Sequence, residues 1–460
     1  MADVDFDVII IGAGQASVPL ARALAEAGRE VALAERKHLG GSCVNFGCTP
    51  TKAVISSAKV AHLARRAADY GVHVGAVEVD LEAVLARAES ILQSSRQSLR
   101  STLDEAGVRL IEGSARLAGR HGEAFGVQVG GETLRAGAVV LNTGTRTAIP
   151  PIEGLEALVE GGRVLTAETW LAQRTVPKHL AVLGGSYIGL ELGQFYRRMG
   201  SEVTIFETAE RIAAREDEDV SRALQALLEG EGVRFHLGAQ VERVSAQSEG
   251  LELHLEGGER VAASHLLIAA GRQPNTDALD LSSVGLEPDD GGFLEVDERL
   301  ASKVAGIWVA GDIRGGPMFT HTAYDDFEVL ASQLLGEGER TAERLVPYAM
   351  FTDPQLGRVG MSEREAREAG FEVRVATYDM KANGRARALG EEDGFVKVVV
   401  DARTQKLLGA AVLAAEGAEL VHVFVALMNA GAPYTVLDRA LHIHPTLSEA
   451  TKSVVKGLGA

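Results

Sequence analysis

The sequence predicts an α/β protein built from two dinucleotide-binding, Rossmann-like domains and a C-terminal α+β domain. Two observations carry this prediction. A βαβ pattern occurs twice along the chain, and from about residue 347 the pattern changes to strands and a helix without a phosphate-binding glycine turn. The length of 460 residues agrees with about three domains, at roughly 150 residues each. We expect the C-terminal part to serve packing or an interface.

Composition and charge exclude several classes of protein. Hydrophobic residues make up 46% of the chain and charged residues 24%, which is typical of a folded globular protein. The 46 Lys and Arg residues against 64 Asp and Glu residues give a net charge of −18. This charge repels nucleic acid and anionic lipid, so we expect neither as a partner. The sequence shows no signal-peptide pattern and no apolar run of about 20 residues, and we expect a cytoplasmic protein.

The first βαβ pattern spans residues 7–35. A strand leads into a glycine turn with Gly12 and Gly14, and an amphipathic helix and a second strand ending at Glu35 follow. The glycines let the backbone approach a pyrophosphate, and the helix N-terminus favours its negative charge. The carboxylate accepts hydrogen bonds from ribose hydroxyls. Ser17 takes the third small position of this fingerprint.

The second pattern spans residues 179–207, offset from the first by 172 positions. Its turn contains Gly184 and Gly185, Ser186 takes the middle position, and the second strand ends at Glu207. One such fingerprint could be no more than a helix-packing turn. Two copies, each with a Glu 23 residues after the first glycine, predict two bound dinucleotides.

The chain has two cysteines, Cys43 and Cys48. Along one regular helix their Cα atoms would be separated by about 7.5 Å plus a lateral offset, whereas a disulfide tolerates about 7 Å. A bond therefore requires Cys43 to precede the helix and the chain to fold back, which Gly47 allows. Thr49 and Pro50 mark a helix start, and a thiol at a helix N-terminus has a lowered pKa. The alternative is two buried free cysteines.

The segment G-G-S-C-V-N-F-G-C-T-P-T-K at residues 40–52, together with both fingerprints, resembles the FAD-dependent pyridine nucleotide–disulfide oxidoreductases. This family includes dihydrolipoamide dehydrogenase, glutathione reductase and mercuric reductase, and the resemblance covers essentially the whole chain. It implies FAD on the first unit, NAD(P)H on the second, and a redox disulfide between Cys43 and Cys48. Cys48 resembles the thiol nearest the flavin, and Cys43 resembles the interchange thiol that meets the substrate.

Further site residues follow from the same resemblance. Lys52 is similar to the lysine near flavin N5, Glu191 to its carboxylate partner, and Tyr187 to the tyrosine that covers the nicotinamide pocket. A cation there stabilises negative charge on the reduced flavin. No resident metal site is expected. The implied cofactor-binding residues are Gly12, Gly14, Ser17, Glu35, Gly41, Ser42, Lys52, Ala115, Thr143, Gly144, Gly184, Gly185, Tyr187, Ile188, Glu191, Glu207, Gly271, Asp312, Thr320 and Ala323.

The motif H-I-H-P-T-L-S-E at residues 442–449 supplies a candidate acid–base pair. In the family that this chain resembles, the histidine before proline serves the interchange thiol and the glutamate orients it; here they are His444 and Glu449. Imidazole titrates near neutral pH, and a carboxylate fixes its tautomer. The family supplies this histidine from the partner subunit, so the resemblance implies a homodimer with a shared active site. The alternative is a capped surface histidine.

The pattern and the resemblance together predict four segments. Residues 1–148 form the first part of the FAD-binding domain, 149–270 the NAD(P)H-binding domain, 271–345 the second, central part of the FAD-binding domain, and 346–460 the dimerisation domain.

Glu207 lies where an NADP enzyme usually offers an arginine to the 2′-phosphate. A carboxylate there accepts a hydrogen bond from the free 2′-hydroxyl and repels a phosphate, so NADH is the expected donor. Arg211 lies close enough in sequence to keep NADPH open.

The electron acceptor is the least determined part of the prediction. The H-P-T-x-x-E motif and Glu207 favour dihydrolipoamide dehydrogenase, whereas F-T-D-P-Q-L-G-R-V-G at residues 351–360 and G-R-A-R at 384–387 are more similar to the mercuric-reductase branch. We expect a mercuric-reductase-like enzyme that passes electrons from NAD(P)H through flavin and the cysteine pair to a metal ion, an oxidant or a small disulfide. Dihydrolipoamide dehydrogenase and a non-catalytic, redox-sensing flavoprotein are the alternatives.

Overall fold

The computed structural model describes residues 4–336 and 338–459. The outer bounds of the predicted first and last segments, residues 1–3 and 460, lie outside this range, and the structure does not test the other predicted boundaries. The predicted α/β class with two Rossmann-like units and a C-terminal α+β part is confirmed. Across the described residues, no helix is both long and apolar enough to cross a membrane.

The first unit is built on a sheet whose central strands are parallel. Strand β1 is an apolar run, and it pairs in parallel with β2 on one side and β6 on the other. This burial on both sides explains the continuous run Val8–Ile11, which does not alternate with polar residues. The elements of this part are β1 (Phe6–Ile11), α1 (Ser17–Glu26), β2 (Val31–Glu35), α2 (Gly41–Asn45), α3 (Cys48–Arg65), α4 (Leu81–Glu105), β3 (Arg109–Glu112), β4 (Ala115–His121), β5 (Ala124–Val129), β6 (Glu132–Leu141) and β7 (Thr145–Thr147).

The second unit repeats the parallel arrangement. Strand β9 takes the central place of β1, since it pairs in parallel with β10 and with β15. Strands β12, β13 and β14 form a separate antiparallel sheet. The elements are β8 (Val164–Leu165), β9 (His179–Leu183), α5 (Tyr187–Met199), β10 (Glu202–Glu207), α6 (Glu218–Gly230), β11 (Val233–Leu237), β12 (Val241–Gln247), β13 (Gly250–Leu255), β14 (Arg260–Ala263) and β15 (His265–Ile268).

The chain then returns to the first unit. Strand β16 (Arg272–Pro274) pairs with β7, and β17 (Ile307–Val309) adds a parallel strand beside β6. Helix α7 (Thr320–Leu335) packs against α1. The first unit is therefore assembled from two stretches of chain, with the second unit inserted between them.

The C-terminal part contains an antiparallel sheet in the order β18-β19-β22-β21-β20, with helices against it. Some strands of this sheet alternate apolar and polar residues, and others are almost entirely apolar. Together with the helices they build a separate core that includes Val398, Val412 and Phe424. The elements are β18 (Tyr348–Met350), β19 (Gln355–Gly360), α8 (Glu363–Glu368), β20 (Val373–Asp379), α9 (Gly384–Leu389), β21 (Phe395–Asp401), β22 (Leu407–Ala414), α10 (Gly417–Leu420), α11 (His422–Asn429), α12 (Thr435–Arg439) and α13 (Glu449–Lys456).

Candidate active site

The first glycine turn passes tightly over the end of strand β6. Gly12 has a φ of +96°, and a Cβ there would lie 2.4 Å from the carbonyl oxygen of Asn142, so only glycine fits. The backbone N–H groups of Ala13 and Lys37 each donate to the Glu35 carboxylate, at 2.8 Å. Glu35 is thereby held at the end of β2, where a ribose of a nucleotide on this turn would lie.

The second glycine turn has the same hydrogen bonds, offset by 172 positions. Gly184 has a φ of +108°, and a Cβ there would lie 2.4 Å from the carbonyl oxygen of Ala269. Gly185 N–H donates to Glu207 Oε2 at 2.7 Å, and Ala209 N–H donates to Glu207 Oε1 at 2.9 Å. The two units therefore offer the same backbone geometry to two nucleotides.

A single continuous cleft of about 2890 Å³ joins both turns. Its wall includes Cys43 and Cys48, together with every predicted cofactor-binding residue except Ser17. The predicted residues that line it are Gly12, Gly14, Glu35, Gly41, Ser42, Lys52, Ala115, Thr143, Gly144, Gly184, Gly185, Tyr187, Ile188, Glu191, Glu207, Gly271, Asp312, Thr320 and Ala323.

Ser17 is the one predicted cofactor-binding residue that does not line the cleft. Its side chain is fully buried, and its hydroxyl oxygen accepts a hydrogen bond of 2.7 Å from the amide of Asn142. The small residue at this position allows α1 to pack closely on the sheet, so Ser17 supports the turn from behind and does not line the cleft. Asn142 was not predicted, because its role depends on β6 crossing under a turn more than a hundred residues earlier in the chain.

The two cysteines lie on two consecutive helices. Cys43 lies within the short helix α2, the chain breaks at Phe46 and Gly47, and Cys48 opens α3. Cys43 thus precedes the helix that begins at Cys48, which is the condition that the sequence set for a bond between the two. The break brings the two thiols into contact, which one continuous helix would prevent. Both are free thiols in this structure.

The surroundings of Cys48 favour its thiolate. Its sulfur lies 3.1 Å from the hydroxyl oxygen of Thr320. A hydrogen bond from Cys43, partly opposed by burial and assisted by Thr320 and the charge of Lys52, lowers the pKa of Cys48 to about 6. The same contact raises the pKa of Cys43, because one negative charge between two sulfurs disfavours a second. The surroundings therefore favour a thiolate at Cys48 over one at Cys43.

One side chain of the thiol-bearing loop and one from a distant part of the sequence hold this loop in place. Asn45 donates to the carbonyl oxygens of Leu39 and Gly41 at 2.9 and 2.8 Å. The indole N–H of Trp170 donates to the carbonyl oxygen of Phe46 at 2.9 Å. Nothing in the local sequence around position 170 indicates this role, since the contact spans 124 positions.

Lys52 and Glu191 form the predicted ion pair. Lys52 lies one turn after Cys48 on α3, and its Nζ donates to Glu191 Oε2 at 2.8 Å. The other carboxylate oxygen accepts from the backbone N–H of Phe351 at 2.8 Å, and the Phe351 ring centroid lies 4.5 Å from Lys52 Nζ. The buried Glu191 therefore fixes a positive charge beside the thiol pair.

Asp312 lines the cleft, and its carboxyl group has few hydrogen-bond donors around it. Among the described residues its carboxylate accepts one side-chain hydrogen bond, a long one of 3.3 Å from Thr145. Burial raises the pKa of Asp312, although Arg272 and Thr145 act in the opposite direction. A buried acceptor of this kind is suited to hydroxyl groups of a ligand. The glycine turn with Glu35 at one end and Asp312 further along fits an extended dinucleotide such as FAD.

Tyr187, the first residue of α5, lies between the second glycine turn and Glu191. Its ring packs edge-on against Phe319 and Tyr348, with centroids 6.3 and 5.9 Å apart. The predicted cover of the nicotinamide pocket is therefore held by aromatic neighbours.

The predicted pair His444 and Glu449 forms, but it does not line the cleft. His444 Nδ1 lies 3.0 Å from Glu449 Oε1, and Thr446 N–H donates to Glu449 Oε2 at 2.9 Å. The Thr446 hydrogen bond and His444 lower the pKa of Glu449. The His444 side chain is 77% exposed, and Leu441 and Ile443 beside it are exposed as well. Within one chain, the pair is not brought to the cysteines.

No group of three or more His, Cys, Asp or Glu side chains within the described part of the chain is arranged to hold a metal ion.

Comparison with known proteins identifies relatives along the whole chain. Residues 6–326 match the family model described as pyridine nucleotide-disulphide oxidoreductase, and residues 346–455 match the dimerisation domain of that family. The probable pyridine nucleotide-disulfide oxidoreductase RclA of Escherichia coli is 34% identical, with 97% of each chain covered. A dihydrolipoyl dehydrogenase of Cupriavidus necator is also 34% identical, over 97% of this chain and 96% of its own.

A solved structure, the Cu(II) complex of the HOCl-induced flavoprotein disulfide reductase RclA from Escherichia coli, has the same fold. Its TM-score is 0.89 at 33% identity, with 98% of this chain and 99% of that chain covered.

Proposed function

This chain belongs to the pyridine nucleotide–disulphide oxidoreductases, FAD-dependent enzymes with NAD(P)H as electron donor, and on that premise we propose its particular reaction. Electrons pass from NADH through FAD and the Cys43–Cys48 pair to a metal ion, an oxidant or a small disulfide. The observation that carries the proposal is the meeting of Cys48, Cys43 and the Lys52–Glu191 pair in one cleft with both glycine turns.

FAD supplies, when bound, a two-electron carrier between nicotinamide and thiols. Gly12, Gly14 and Glu35 would hold its nucleotide half, and Asp312 its hydroxyl-bearing chain. Lys52 provides a fixed positive charge, and Glu191 keeps its ammonium group from turning to solvent. These residues orient the cofactor and stabilise negative charge beside the cysteines.

The cysteine pair stores the electrons. Reduction of a Cys43–Cys48 disulfide breaks the S–S bond and takes up two electrons; Cys43 takes a proton and Cys48 stays a thiolate, in keeping with its lowered pKa. Cys43 is the thiol that faces the acceptor. With a disulfide acceptor, its sulfur forms a mixed disulfide and Cys48 resolves it, which restores the Cys43–Cys48 bond and releases two thiols.

We propose that the proton of Cys43 is moved by His444 of a second copy of this chain. Three observations support this: the exposed His444–Glu449 pair, its exposed apolar neighbours, and the match of residues 346–455 to a dimerisation domain. Glu449 accepts from one imidazole nitrogen, so the other nitrogen is free to exchange the proton.

The preference for NADH is supported by the loop after β10. Glu207 is held by two backbone N–H groups at the place of the adenosine ribose. The guanidinium of Arg211 donates to the carbonyl oxygens of Ala214 and Glu216, at 3.1 and 3.5 Å. One amino group of Arg211 is therefore bound within its own loop, which favours this position over an approach to a 2′-phosphate.

Dihydrolipoyl dehydrogenase is the second candidate. A protein of that name and RclA are equally identical to this chain, and the His444–Glu449 pair suits dithiol–disulfide exchange. RclA is a HOCl-induced flavoprotein disulfide reductase that has been solved as a Cu(II) complex, which is consistent with the oxidant or metal acceptor of the first candidate.

Anaerobic turnover of the FAD-loaded protein separates these candidates. NADH and NADPH are compared as donors, with lipoamide, glutathione disulfide, Cu(II) and Hg(II) as acceptors and Cys43→Ser as the control variant. Our proposal predicts metal-ion or disulfide reduction that is lost in Cys43→Ser, with little lipoamide turnover. Fast lipoamide turnover would identify a dihydrolipoyl dehydrogenase, and tight nucleotide binding without turnover would identify a redox-sensing flavoprotein.

A further inference from the structure

We propose that Tyr348, a residue of the C-terminal part, holds Tyr187 over the nicotinamide site. This contact opposes the displacement of Tyr187 and thereby lowers the affinity for the nucleotide. The inference rests on the proposed function in one respect, since it takes the nicotinamide to bind in the cleft beside Tyr187. Neither fingerprint nor the redox segment points to Tyr348, which lies on β18 outside both dinucleotide units.

Tyr187 is held within an aromatic cluster. Tyr348 and Phe319 are stacked on each other, with centroids 5.4 Å apart and planes 7° apart. The Tyr187 ring meets both at angles near perpendicular, 78° and 79°. Such edge-to-face pairs are favourable beyond the area that they bury. To leave the cleft, Tyr187 has to give up both contacts.

Tyr348 itself is fixed by a buried ion pair. Its hydroxyl donates to Glu216 Oε1 at 3.0 Å, and Glu216 Oε2 lies 2.6 Å from Arg358 Nε. The side chains of Glu216 and Arg358 are 1% and 3% exposed. Arg358 also donates to the carbonyl oxygen of Ala410 at 2.7 Å, which anchors it to the C-terminal sheet.

The hydrogen bond from Tyr348 to Glu216 persists across the physiological pH range. Burial, opposed by Arg358 and assisted by Glu216, raises the pKa of Tyr348 to about 12. The phenol therefore stays protonated and keeps donating to Glu216. Burial and the nearby Tyr348 likewise raise the pKa of Tyr187, so neither ring acquires a charge that would push the two apart.

The cluster joins three parts of the chain. Tyr187 and Glu216 belong to the second dinucleotide unit, Phe319 immediately precedes α7, and Tyr348 and Arg358 belong to the C-terminal sheet. Thr320, next to Phe319, contacts the sulfur of Cys48. Tyr348 is thus a positioning residue: it does not touch the reacting atoms, and it acts through Tyr187.

The proposal is tested on the FAD-loaded protein with Tyr348→Leu, which removes the ring but keeps apolar bulk. Loss of one aromatic pair should increase the population in which Tyr187 has left the cleft by about 3- to 10-fold. We therefore expect the dissociation constant of NAD⁺ to fall by about 3- to 10-fold, because NAD⁺ no longer has to break the contact between Tyr187 and Tyr348 when it displaces Tyr187. Quenching of flavin fluorescence by iodide should increase by a similar factor. Both readouts are independent of turnover.

Two further variants separate positioning from general stability. Tyr348→Phe keeps the ring and loses the hydroxyl, which bonds Glu216 and also contacts Tyr187 and Arg358. It should therefore change both readouts in the same direction as Tyr348→Leu, by a smaller factor. Tyr378→Leu, on strand β20 of the same sheet and away from the cleft, should leave both readouts unchanged. Unaltered NAD⁺ affinity and iodide quenching in Tyr348→Leu, or weaker NAD⁺ binding, would overturn the proposal. A wild-type flavin that NADH does not reduce would instead refute the proposed function.

Discussion

The two dinucleotide units share a backbone but differ in the residue that crosses under the glycine turn. Asn142 follows β6 under the first turn, and Ala269 follows β15 under the second. The first glycine of each turn faces the carbonyl oxygen of that residue at the same distance, 2.4 Å from a Cβ. The side chains at this crossing are not equivalent, since Asn142 places an amide under the first turn and Ala269 places none under the second.

In the first unit the Asn142 amide fills the space under the turn. A Cβ at Gly14 would lie 2.9 Å from Asn142 Nδ2. Ser17, in contrast, is favourable because its hydroxyl oxygen accepts a hydrogen bond from that amide. The first unit therefore favours glycine at its second position and uses serine at its third.

The second unit reverses this choice. Ala269 carries no amide, and Ser186 stands where the first unit has Gly14. Gly189 stands where the first unit has Ser17, and a Cβ there would lie 2.0 Å from the carbonyl oxygen of Gly184. Each serine is thus explained by its own surroundings, and neither marks a degraded nucleotide site.

The largest effect is expected for Gly189→Ala. The new Cβ would overlap a backbone oxygen that cannot rotate away, so the free energy of unfolding should fall by more than about 3 kcal/mol. Chemical denaturation and NAD⁺ binding measure this. Gly193→Ala is the matched control on the same helix, because its nearest atom is the side-chain tip of Ile205 at 3.2 Å. Equal losses in both variants would contradict the assigned clash.

Gly14→Ser should be the next most damaging change. It places a side chain against the Asn142 amide and should lower the free energy of unfolding by about 1–3 kcal/mol. The variant should also retain FAD more weakly. Asn142→Ala in the same chain removes the obstacle and should restore part of the loss, as for coupled neighbours. Purely additive effects of the two substitutions would show that Asn142 does not impose the glycine.

The thiol pair distinguishes the units further, since it follows the first unit alone. In the reduced protein, alkylation of Cys48 should follow a titration with its midpoint at about 6, with the reactive thiolate dominant above that pH. Thr320→Val removes a hydrogen-bond partner of the sulfur and should raise the midpoint by about 0.5–1 pH unit. Peptide mass spectrometry separates Cys48 from Cys43. A midpoint near that of an ordinary thiol would refute the assignment of Cys48 as the thiolate.

The smallest effect is expected for Ser186→Gly, within about 0.5 kcal/mol, because the Ser186 side chain caps no helix. The same substitution in the first unit, Ser17→Gly, leaves the buried Asn142 amide without its acceptor and should cost about 1–3 kcal/mol. Thermal denaturation of the two variants side by side compares the units directly. Similar losses would show that the crossing residue does not matter.

Local patterns predicted much of the site. Both turns, the contact between Lys52 and Glu191 and the pairing of His444 with Glu449 agree with the structure. Each depends on a motif whose spacing, or whose resemblance to a known family, is visible in a short stretch of sequence. The family and the fold followed from the same motifs.

The contacts that hold these motifs in place could not be predicted in this way. Trp170 anchors the thiol loop, Asn142 fixes the first turn, and Tyr348 packs against Tyr187. All three act on residues that only the folded topology brings near. The short helix around Cys43 was missed for a related reason, since the break after it is fixed by such distant contacts.

In the proposed reaction, NADH delivers its electrons to the cysteine pair. The most direct test is an anaerobic titration of the oxidised, FAD-loaded protein with NADH, followed by alkylation and peptide mass spectrometry. We predict that Cys43 and Cys48 become alkylated together as NADH is added, and that neither reacts before it. Reduction of the flavin while both cysteines stay in their initial state would contradict the claim.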